Sequence, residues 1–333
     1  MASNDLTDKL VVVTGASSGI GRATALAFAG RGAYVVLAAR DGEALADVVD
    51  ACRRLGGGAE AVVTDVTDPD AVRRLGETAQ RIGGGRLDIW VNNAGVGAVG
   101  RFEETPLAAH EQVVQTDLLG YMRGAHVVLP IFKRQGHGVL INTLSLGSWV
   151  AQPYAAAYSA AKYGLRGFTE ALRGELSGWR GIHVCDVYPA FIDTPGLRDG
   201  GNYSGRRIKP PPPVYDPRKV AGAIVSLALR PRASVTVGSI ATLLRVQHFL
   251  TPGFPALSRW VLDRAFARAK PVAQSSGNLF EPPSGERRID GGFARGSNTA
   301  GALAVGALAV ALLGLYAARR LSDRPRSISP WRR

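Results

Sequence analysis

The chain has 333 residues, of which 46% are hydrophobic and 20% charged, so a wholly disordered, collagen-like or fibrous protein is excluded. Its net charge of +13 is uneven, because residues 251–333 contribute +8 and residues 1–250 only +5. The two cysteines, Cys52 and Cys185, form no CxxC motif, which excludes a disulfide scaffold and a cysteine-rich zinc site and favours a reducing compartment.

Short apolar runs alternate with longer helix-like stretches from residue 9 to about residue 190. The candidate strands are 10–14, 33–39, 60–64, 88–92, 137–143 and 182–188. The candidate helices are 20–30, 42–55, 69–82, 107–135 and 154–178. Nearly continuous apolar strands are typical of parallel sheets buried on both faces. The alternation therefore predicts a doubly wound α/β fold (Rossmann parallel sheet) over residues 1–250, completed by a helix near 217–229 and a strand near 234–240.

The composition of the sequence changes after residue 195. Residues 196–217 contain many glycines, four consecutive prolines and several basic residues, and we expect an irregular substrate lid there. Residues 251–298 are predicted to form a basic amphipathic helix over 256–270 and then a Pro/Gly/Ser-rich linker.

The C-terminal end suggests a membrane contact. Residues 300–318 contain no charge and would span about 28 Å as a helix, close to a bilayer core. We therefore expect a transmembrane or membrane-associating helix over 299–319, followed by a basic tail over 320–333; a soluble Ala-rich helix is the alternative. The arginines after this run favour keeping the tail in the cytoplasm, where the α/β domain is also expected, so the orientation of a single span stays open.

A glycine-rich turn joins the first strand to the first helix. It reads Thr14-Gly15-Ala16-Ser17-Ser18-Gly19-Ile20-Gly21. Glycines here allow a diphosphate to approach the backbone N–H groups at the start of a helix. Because the motif directly follows a buried strand, it predicts a dinucleotide-binding loop.

The second strand ends in Ala39-Arg40-Asp41. In dinucleotide-binding folds an acidic residue near this point takes the ribose 2′-hydroxyl, and an arginine accommodates a 2′-phosphate. Arg40, with Arg22 nearby, favours NADP(H) as the cofactor, while Asp41 keeps NAD(H) possible.

Three further residues suggest carbonyl–alcohol chemistry. Ser145 ends a predicted strand, and Tyr158 and Lys162 lie one turn apart on a helix face. A hydroxyl, a phenol and an ammonium beside a nicotinamide suit the interconversion of a carbonyl and an alcohol.

Together these residues resemble the short-chain dehydrogenase/reductase family, in its single-domain branch with TGxxxGxG and YxxxK motifs. The resemblance covers roughly residues 8–240 and includes Asn92-Asn93-Ala94-Gly95. It implies that Ser145, Tyr158 and Lys162 are catalytic and that Tyr158 is the general acid/base. The residues it assigns to the cofactor, besides Tyr158 and Lys162, are Gly15, Ser17, Ser18, Gly19, Ile20, Gly21, Asp65, Val66, Asn93, Ala94, Gly95, Pro189, Ile192 and Thr194.

Two positions depart from the family pattern. Asp117 stands where the family usually has an asparagine that holds a water for proton relay, and Ala190 replaces the glycine of a PGxxxT segment. An aspartate can hold a water or pair with Lys162, so we count Asp117 among the catalytic residues and expect activity to survive with an altered pH profile.

The sequence thus predicts an NADP(H)-dependent oxidoreductase for an apolar ketone, aldehyde or alcohol, without a metal site. Leu146, Trp149, Tyr154 and Phe191 are expected around the reacting carbonyl. The alternative is a catalytically silent, membrane-tethered cofactor-binding scaffold, for which Asp117 is the one favourable feature. We expect no nucleic-acid partner, and the family resemblance implies a homo-oligomer.

Overall fold

A computed structural model of the protein describes residues 5–239, 241–242, 254–285 and 287–293. The predicted membrane-associating segment at 299–319 and the basic tail at 320–333 lie outside these residues. Among the described residues, no helix has both the length and the apolar character needed to cross a membrane.

The fold is an α/β sandwich around a parallel sheet of seven strands. All seven predicted strands are present, with bounds within three residues of the prediction. In chain order the strands are β1 Leu10–Thr14, β2 Tyr34–Ala39, β3 Ala59–Val63, β4 Ile89–Asn92, β5 Ala98–Val99, β6 Gly138–Thr143, β7 Ile182–Pro189, β8 Gly201–Asn202 and β9 Ser234–Val237. The large sheet has the order β3-β2-β1-β4-β6-β7-β9, and β5 pairs with β8 in a separate two-stranded sheet.

Helices cover both faces of the large sheet. They are α1 Gly19–Ala29, α2 Gly42–Arg54, α3 Pro69–Ile82, α4 Leu107–Val114, α5 Gly120–Gln135, α6 Ala156–Glu175, α7 Pro195–Asp199, α8 Pro217–Leu229 and α9 Phe254–Arg268. Aspartates begin three of these helices, since Asp41, Asp68 and Asp216 each accept a hydrogen bond from a backbone N–H of the first turn.

The alternation of side chains along β1 shows how the sheet builds two cores. Val11 and Val13 pack into the cluster beneath α1 and α8, whereas Leu10 and Val12 pack into the cluster on the opposite face. Every residue of β1 is buried. The uniformly apolar strand therefore reflects burial on both sides.

The order of the strands places a cleft at the carboxyl ends of β1 and β4. The chain passes from β1 outward to β2 and β3, and then returns to the other side of β1 with β4. Ligands of open α/β sheets bind at such a switch point. The glycine-rich turn and the Asn92-Asn93-Ala94-Gly95 segment follow these two strands.

The predicted lid at 196–217 is more regular than expected. The short helix α7 begins with Pro195 at its first position, and β8 forms parallel pairs with β5. Our expectation of wholly irregular structure was therefore wrong for the first part of the lid. A proline can begin a helix because its missing N–H would have no intrahelical acceptor there.

The Pro/Gly/Ser-rich region after α9 follows the surface of the domain. Residues 271–285 and 287–293, here called the C-terminal strap, have an irregular backbone. The strap begins with isolated bridges from Pro271 to Arg206 and from Ser275 to Asn202. Its composition predicts a linker, and the structure shows that this segment pairs with the lid.

Candidate active site

The glycine-rich turn is shaped by two close backbone approaches. Gly15 has a φ of +65°, and a Cβ atom there would lie 2.8 Å from the Cα of Ala94. A Cβ atom on Gly21 would lie 2.0 Å from the carbonyl oxygen of Gly15. Gly21 therefore packs α1 against the turn, and Gly15, Ser17, Ser18, Gly19 and Ile20 line the cavity.

The turn is joined to the segment after β4 by hydrogen bonds. The Thr14 hydroxyl accepts from the backbone N–H groups of Asn93, at 2.9 Å, and Ala94, at 3.1 Å. The Asn93 amide in turn donates to the Thr14 carbonyl at 3.0 Å. These bonds hold two neighbouring loops in one geometry at the switch point of the sheet.

One cavity of about 410 Å³ contains most of the residues assigned from the sequence. It runs from the end of β2 to the predicted catalytic residues. The assigned residues that line it are Gly15, Ser17, Ser18, Gly19, Ile20, Arg40, Asp65, Val66, Asn93, Ala94, Gly95, Asp117, Ser145, Tyr158, Lys162, Pro189, Ile192 and Thr194. Ala190 also lines it and has no positive φ, so the alanine fits the backbone at this departure from the family pattern.

Ser145 and Tyr158 meet in this cavity. Ser145 lies just beyond β6, where its hydroxyl accepts a hydrogen bond from the N–H of Gly147 at 3.0 Å. A hydrogen bond with Ser145 lowers the pKa of Tyr158, but burial is the largest effect and leaves that pKa above its ordinary value. The nearby Lys162 charge also favours the ionised phenol.

Lys162 occupies a buried site beside the phenol. Its Nζ atom lies 3.2 Å from Oδ2 of Asp117, 3.4 Å from the Tyr121 hydroxyl and 3.3 Å from the Thr143 carbonyl. It lies 5.8 Å from the centre of the Tyr158 ring. Burial lowers its pKa, but the surrounding Tyr121, Asp117 and Tyr158 together raise it above the ordinary value, so the side chain is an ammonium.

Asp117 lies where the long helix predicted over 107–135 changes its winding. The structure divides that helix into α4, a π-helical turn at Gln115–Leu119, and α5. Such turns occur often at functional sites. Asp117 is buried and accepts a hydrogen bond from the N–H of Val96 at 2.8 Å. Burial raises the pKa of its carboxyl group, and Lys162 opposes that effect.

Tyr121 is a neighbour of the site that the sequence analysis missed. It lies four residues after Asp117, on α5, and its hydroxyl donates to the Thr143 carbonyl at 3.0 Å. Burial raises its pKa to about 12, so it is a neutral phenol. The i, i+4 spacing from Asp117 was a signal that could have identified it.

The residues expected around the substrate divide into two groups. Leu146 and Phe191 line the cavity, together with four positions of the predicted lid, Gly196, Leu197, Asp199 and Pro210. Trp149 and Tyr154 are not among the lining residues, contrary to expectation. The Trp149 ring packs on the Arg166 guanidinium, and the Tyr154 hydroxyl bonds to Asp263 of α9. Both aromatic side chains are thus directed to other partners.

The strap supplies four lining residues that no sequence pattern indicated. They are Asn278, Pro282, Pro283 and Arg287. Within the described ranges, no group of three or more His, Cys, Asp or Glu residues is placed to hold a metal ion. The cavity does fit a dinucleotide, because the start of α1 and the end of β2 open onto the same space as Tyr158.

Comparison with known proteins agrees with this geometry. The short chain dehydrogenase family matches residues 9–201. Cyclohexanol dehydrogenase of Acinetobacter sp. is 32% identical over 71% of this chain and 94% of its own length. The uncharacterized oxidoreductase YxnA of Bacillus subtilis is 34% identical over 78% of this chain and 72% of its own length.

A solved structure of an alcohol dehydrogenase has a similar fold. The alcohol dehydrogenase of Thermococcus sibiricus, complexed with 5-hydroxy-NADP, superimposes with a TM-score of 0.60 at 26% identity. The superposition covers 70% of this chain and 97% of that one.

Proposed function

The chain belongs to the short-chain dehydrogenase/reductase family and is an NAD(P)-dependent enzyme acting on CH–OH groups, and from this premise we propose that it uses NADP(H) to interconvert a secondary alcohol and a carbonyl on an apolar substrate. The observation that carries the proposal is the meeting of Ser145, Tyr158 and the buried Lys162 ammonium in one cavity with the glycine-rich turn.

The proton chemistry follows from these side chains. A bound nicotinamide coenzyme supplies the hydride in the reduction and accepts it in the oxidation. Tyr158 gives a proton to the carbonyl oxygen in the reduction and takes one from the alcohol in the oxidation. Ser145 holds the same oxygen by a hydrogen bond, and the Lys162 charge stabilises the phenolate form of Tyr158.

Two observations support NADP(H) as the coenzyme. Arg40 lines the cavity at the end of β2, where an arginine accommodates a 2′-phosphate. The Thermococcus enzyme, which shares the fold, was solved with an NADP derivative.

An apolar substrate is supported by the wall of the cavity near Tyr158. Leu146, Phe191, Leu197 and Pro210 all line the cavity and present hydrocarbon surface. The name of the Acinetobacter relative, a cyclohexanol dehydrogenase, agrees with a compact apolar alcohol or ketone.

The direct test is Tyr158→Phe, assayed by NADPH oxidation with a panel of apolar ketones and aldehydes. Because positioned proton transfer typically contributes ~10²–10⁴-fold, we expect a loss of at least about 100-fold in turnover. The matched control is Tyr34→Phe, since Tyr34 is a half-exposed tyrosine at the start of β2. Turnover near that of the wild type in the Tyr158 variant would refute the assignment.

Membrane association through residues 299–319 and self-association are further proposals. The charge-free run supports membrane association. Flotation of the protein with anionic lipid vesicles, compared with a chain ending at residue 298, tests it.

Self-association is supported by the exposed apolar side chains of Leu107 on α4 and Met122 on α5. Sedimentation equilibrium of the protein in detergent measures its copy number.

A further inference from the structure

The C-terminal strap crosses the cavity on the side where β2 ends. Its first part pairs with the lid, where the Ser275 N–H donates to the Asn202 carbonyl at 2.9 Å. Its middle is anchored by Leu279, which is fully buried against Ala98, Ala109 and Val113. The strap is therefore a packed part of the domain at this point.

The end of the strap returns to the turn before α1 and to the segment after β7. The Gly19 N–H donates to the Arg288 carbonyl at 2.9 Å, and Arg22 donates to the Arg287 carbonyl. The Gly291 N–H donates to the Asp193 carbonyl at 3.1 Å. Since the strap also supplies lining residues, it forms a wall of the cavity between these attachment points.

Most hydrogen-bond donors of the Arg40 side chain bind the strap. Its two terminal guanidinium nitrogens lie within hydrogen-bond distance of four consecutive strap carbonyls, those of residues 278–281, at 2.6–3.5 Å. A guanidinium has five N–H donors, so most of its donor capacity is used. Arg40 keeps its positive charge at the end of β2, but its hydrogen bonds hold the strap.

Both carboxylate oxygens of Asp41 also have partners. Its Oδ1 atom accepts from the Ala44 N–H at 3.0 Å, and its Oδ2 atom pairs with Arg287 at 2.7 Å. The Ala44 bond is the largest cause that lowers the Asp41 pKa, and Arg287 lowers it further, so Asp41 is an anion. This carboxylate would otherwise repel a phosphate at the end of β2.

The charges around the end of β2 thus depend on the strap. At the end of β2, Arg40 and Arg287 carry positive charges beside the negative charge of Asp41, and Asp65 also lines the cavity. Without Arg287, the negative charge of Asp41 would offset the positive charge of Arg40. The Arg287 side chain is 14% exposed and lines the cavity, so it faces the same space as the ribose end of a dinucleotide.

We propose that the C-terminal strap is part of the coenzyme site and that Arg287 is the residue that makes this site select a 2′-phosphate, by neutralising Asp41 and supplying a cation. This inference rests on the proposed use of NADP(H), and it assigns the preference to a residue far from β2 in the sequence.

The test is a fluorescence titration of the full-length protein with NADPH and with NADH. In Arg287→Ala, we expect the Kd for NADPH to rise by at least about tenfold, the effect of losing a charge-assisted hydrogen bond. The Kd for NADH should change by less than about threefold, because NADH has no 2′-phosphate. Lys270→Ala removes an exposed cation just before the strap and should change neither Kd.

Two further variants separate charge from folding. Asn serves as well as Asp at the start of a helix, so the double variant Asp41→Asn with Arg287→Ala should recover part of the NADPH affinity. Arg287→Lys keeps the charge and should lie between the wild type and Arg287→Ala. Melting temperatures of all variants identify any that fail to fold.

Three results would overturn the inference. An unchanged ratio of the two Kd values in Arg287→Ala refutes the role of Arg287 while leaving the proposed NADP(H) use intact. Tighter NADPH binding in that variant means that the strap competes with the coenzyme, through the bond from Gly19 to Arg288. A wild-type protein that prefers NADH, or binds neither coenzyme, refutes the proposed coenzyme itself and the inference with it.

Discussion

The Nζ atom of Lys162 lies 3.2 Å from Oδ2 of Asp117, and both side chains are buried. A buried ammonium without a partner costs several kcal/mol, and the carboxylate offsets part of that cost. The same carboxylate adds a negative charge close to Tyr158 and raises its pKa. Asp117 therefore acts electrostatically on the Tyr158 phenol as well as pairing with Lys162.

The first prediction concerns Asp117→Asn. Removing the negative charge lowers the pKa of Tyr158, so the phenolate forms at lower pH. In the direction of alcohol oxidation, where the phenolate is the proposed base, the acid limb of the pH–rate profile should move to lower pH.

The measurement is kcat/KM against pH with a saturating coenzyme. Glu77→Gln removes an exposed carboxylate on α3 and serves as the control, with an unchanged profile expected. A profile for Asp117→Asn that coincides with the wild type would show that the Asp117 charge does not reach Tyr158.

The second prediction concerns Gly21→Ala. The new Cβ atom would lie 2.0 Å from the Gly15 carbonyl oxygen and 2.6 Å from the Asn93 amide nitrogen, so the turn must shift. We expect a loss of about 1–3 kcal/mol in the free energy of unfolding, the usual cost of overpacking, together with weaker coenzyme binding.

The matched control is Gly222→Ala, within α8. A Cβ atom there meets nothing within 4 Å, and alanine favours a helix over glycine by about 1 kcal/mol. Urea titration of both variants should therefore give changes of opposite sign. Equal stability of Gly21→Ala and the wild type would mean that the turn relaxes freely.

The third prediction concerns Arg173 and Asp186, away from the cavity. The Asp186 carboxylate is fully buried and lies 2.8 Å from the Arg173 guanidinium, and it accepts from Thr169 at 3.0 Å. Arg173→Ala leaves the carboxylate without its cation and should cost roughly 3 kcal/mol at neutral pH.

The pH dependence of that loss has a defined sign. Burial raises the pKa of Asp186 above its unfolded value, and losing Arg173 raises it further. The folded state then binds a proton that the unfolded state releases, so the stability of Arg173→Ala falls as the pH rises above the unfolded pKa of about 4. Thermal unfolding from pH 5 to pH 8 measures the fall. Adding Asp186→Asn should remove this extra pH dependence, and its persistence would assign the effect to another group.

The sequence determined the sheet and the chemistry of the site because both depend on local patterns. Apolar runs such as Leu10–Thr14 are long enough to mark buried strands, and the glycines at 15, 19 and 21 meet a backbone need that no other residue meets. The spacing of Tyr158 and Lys162 places them on one helix face wherever the helix packs. Their meeting with Asp117 depends on the packing of α6 against the π-helical turn at Gln115–Leu119, and that turn has no signature in the sequence.

Only the tertiary structure decided what surrounds the end of β2. Arg40 contacts the main-chain carbonyls of residues 278–281. Because every amino acid has such a carbonyl, the residue types of the strap do not predict that contact. Asp41 and Arg287 are separated by 246 positions. Because the strap is irregular, its sequence has no helix or strand periodicity that would predict this ion pair. The sequence by itself therefore determined the reaction class, because catalytic motifs are local, while the charge environment of the coenzyme end was decided by a long-range contact of an irregular segment.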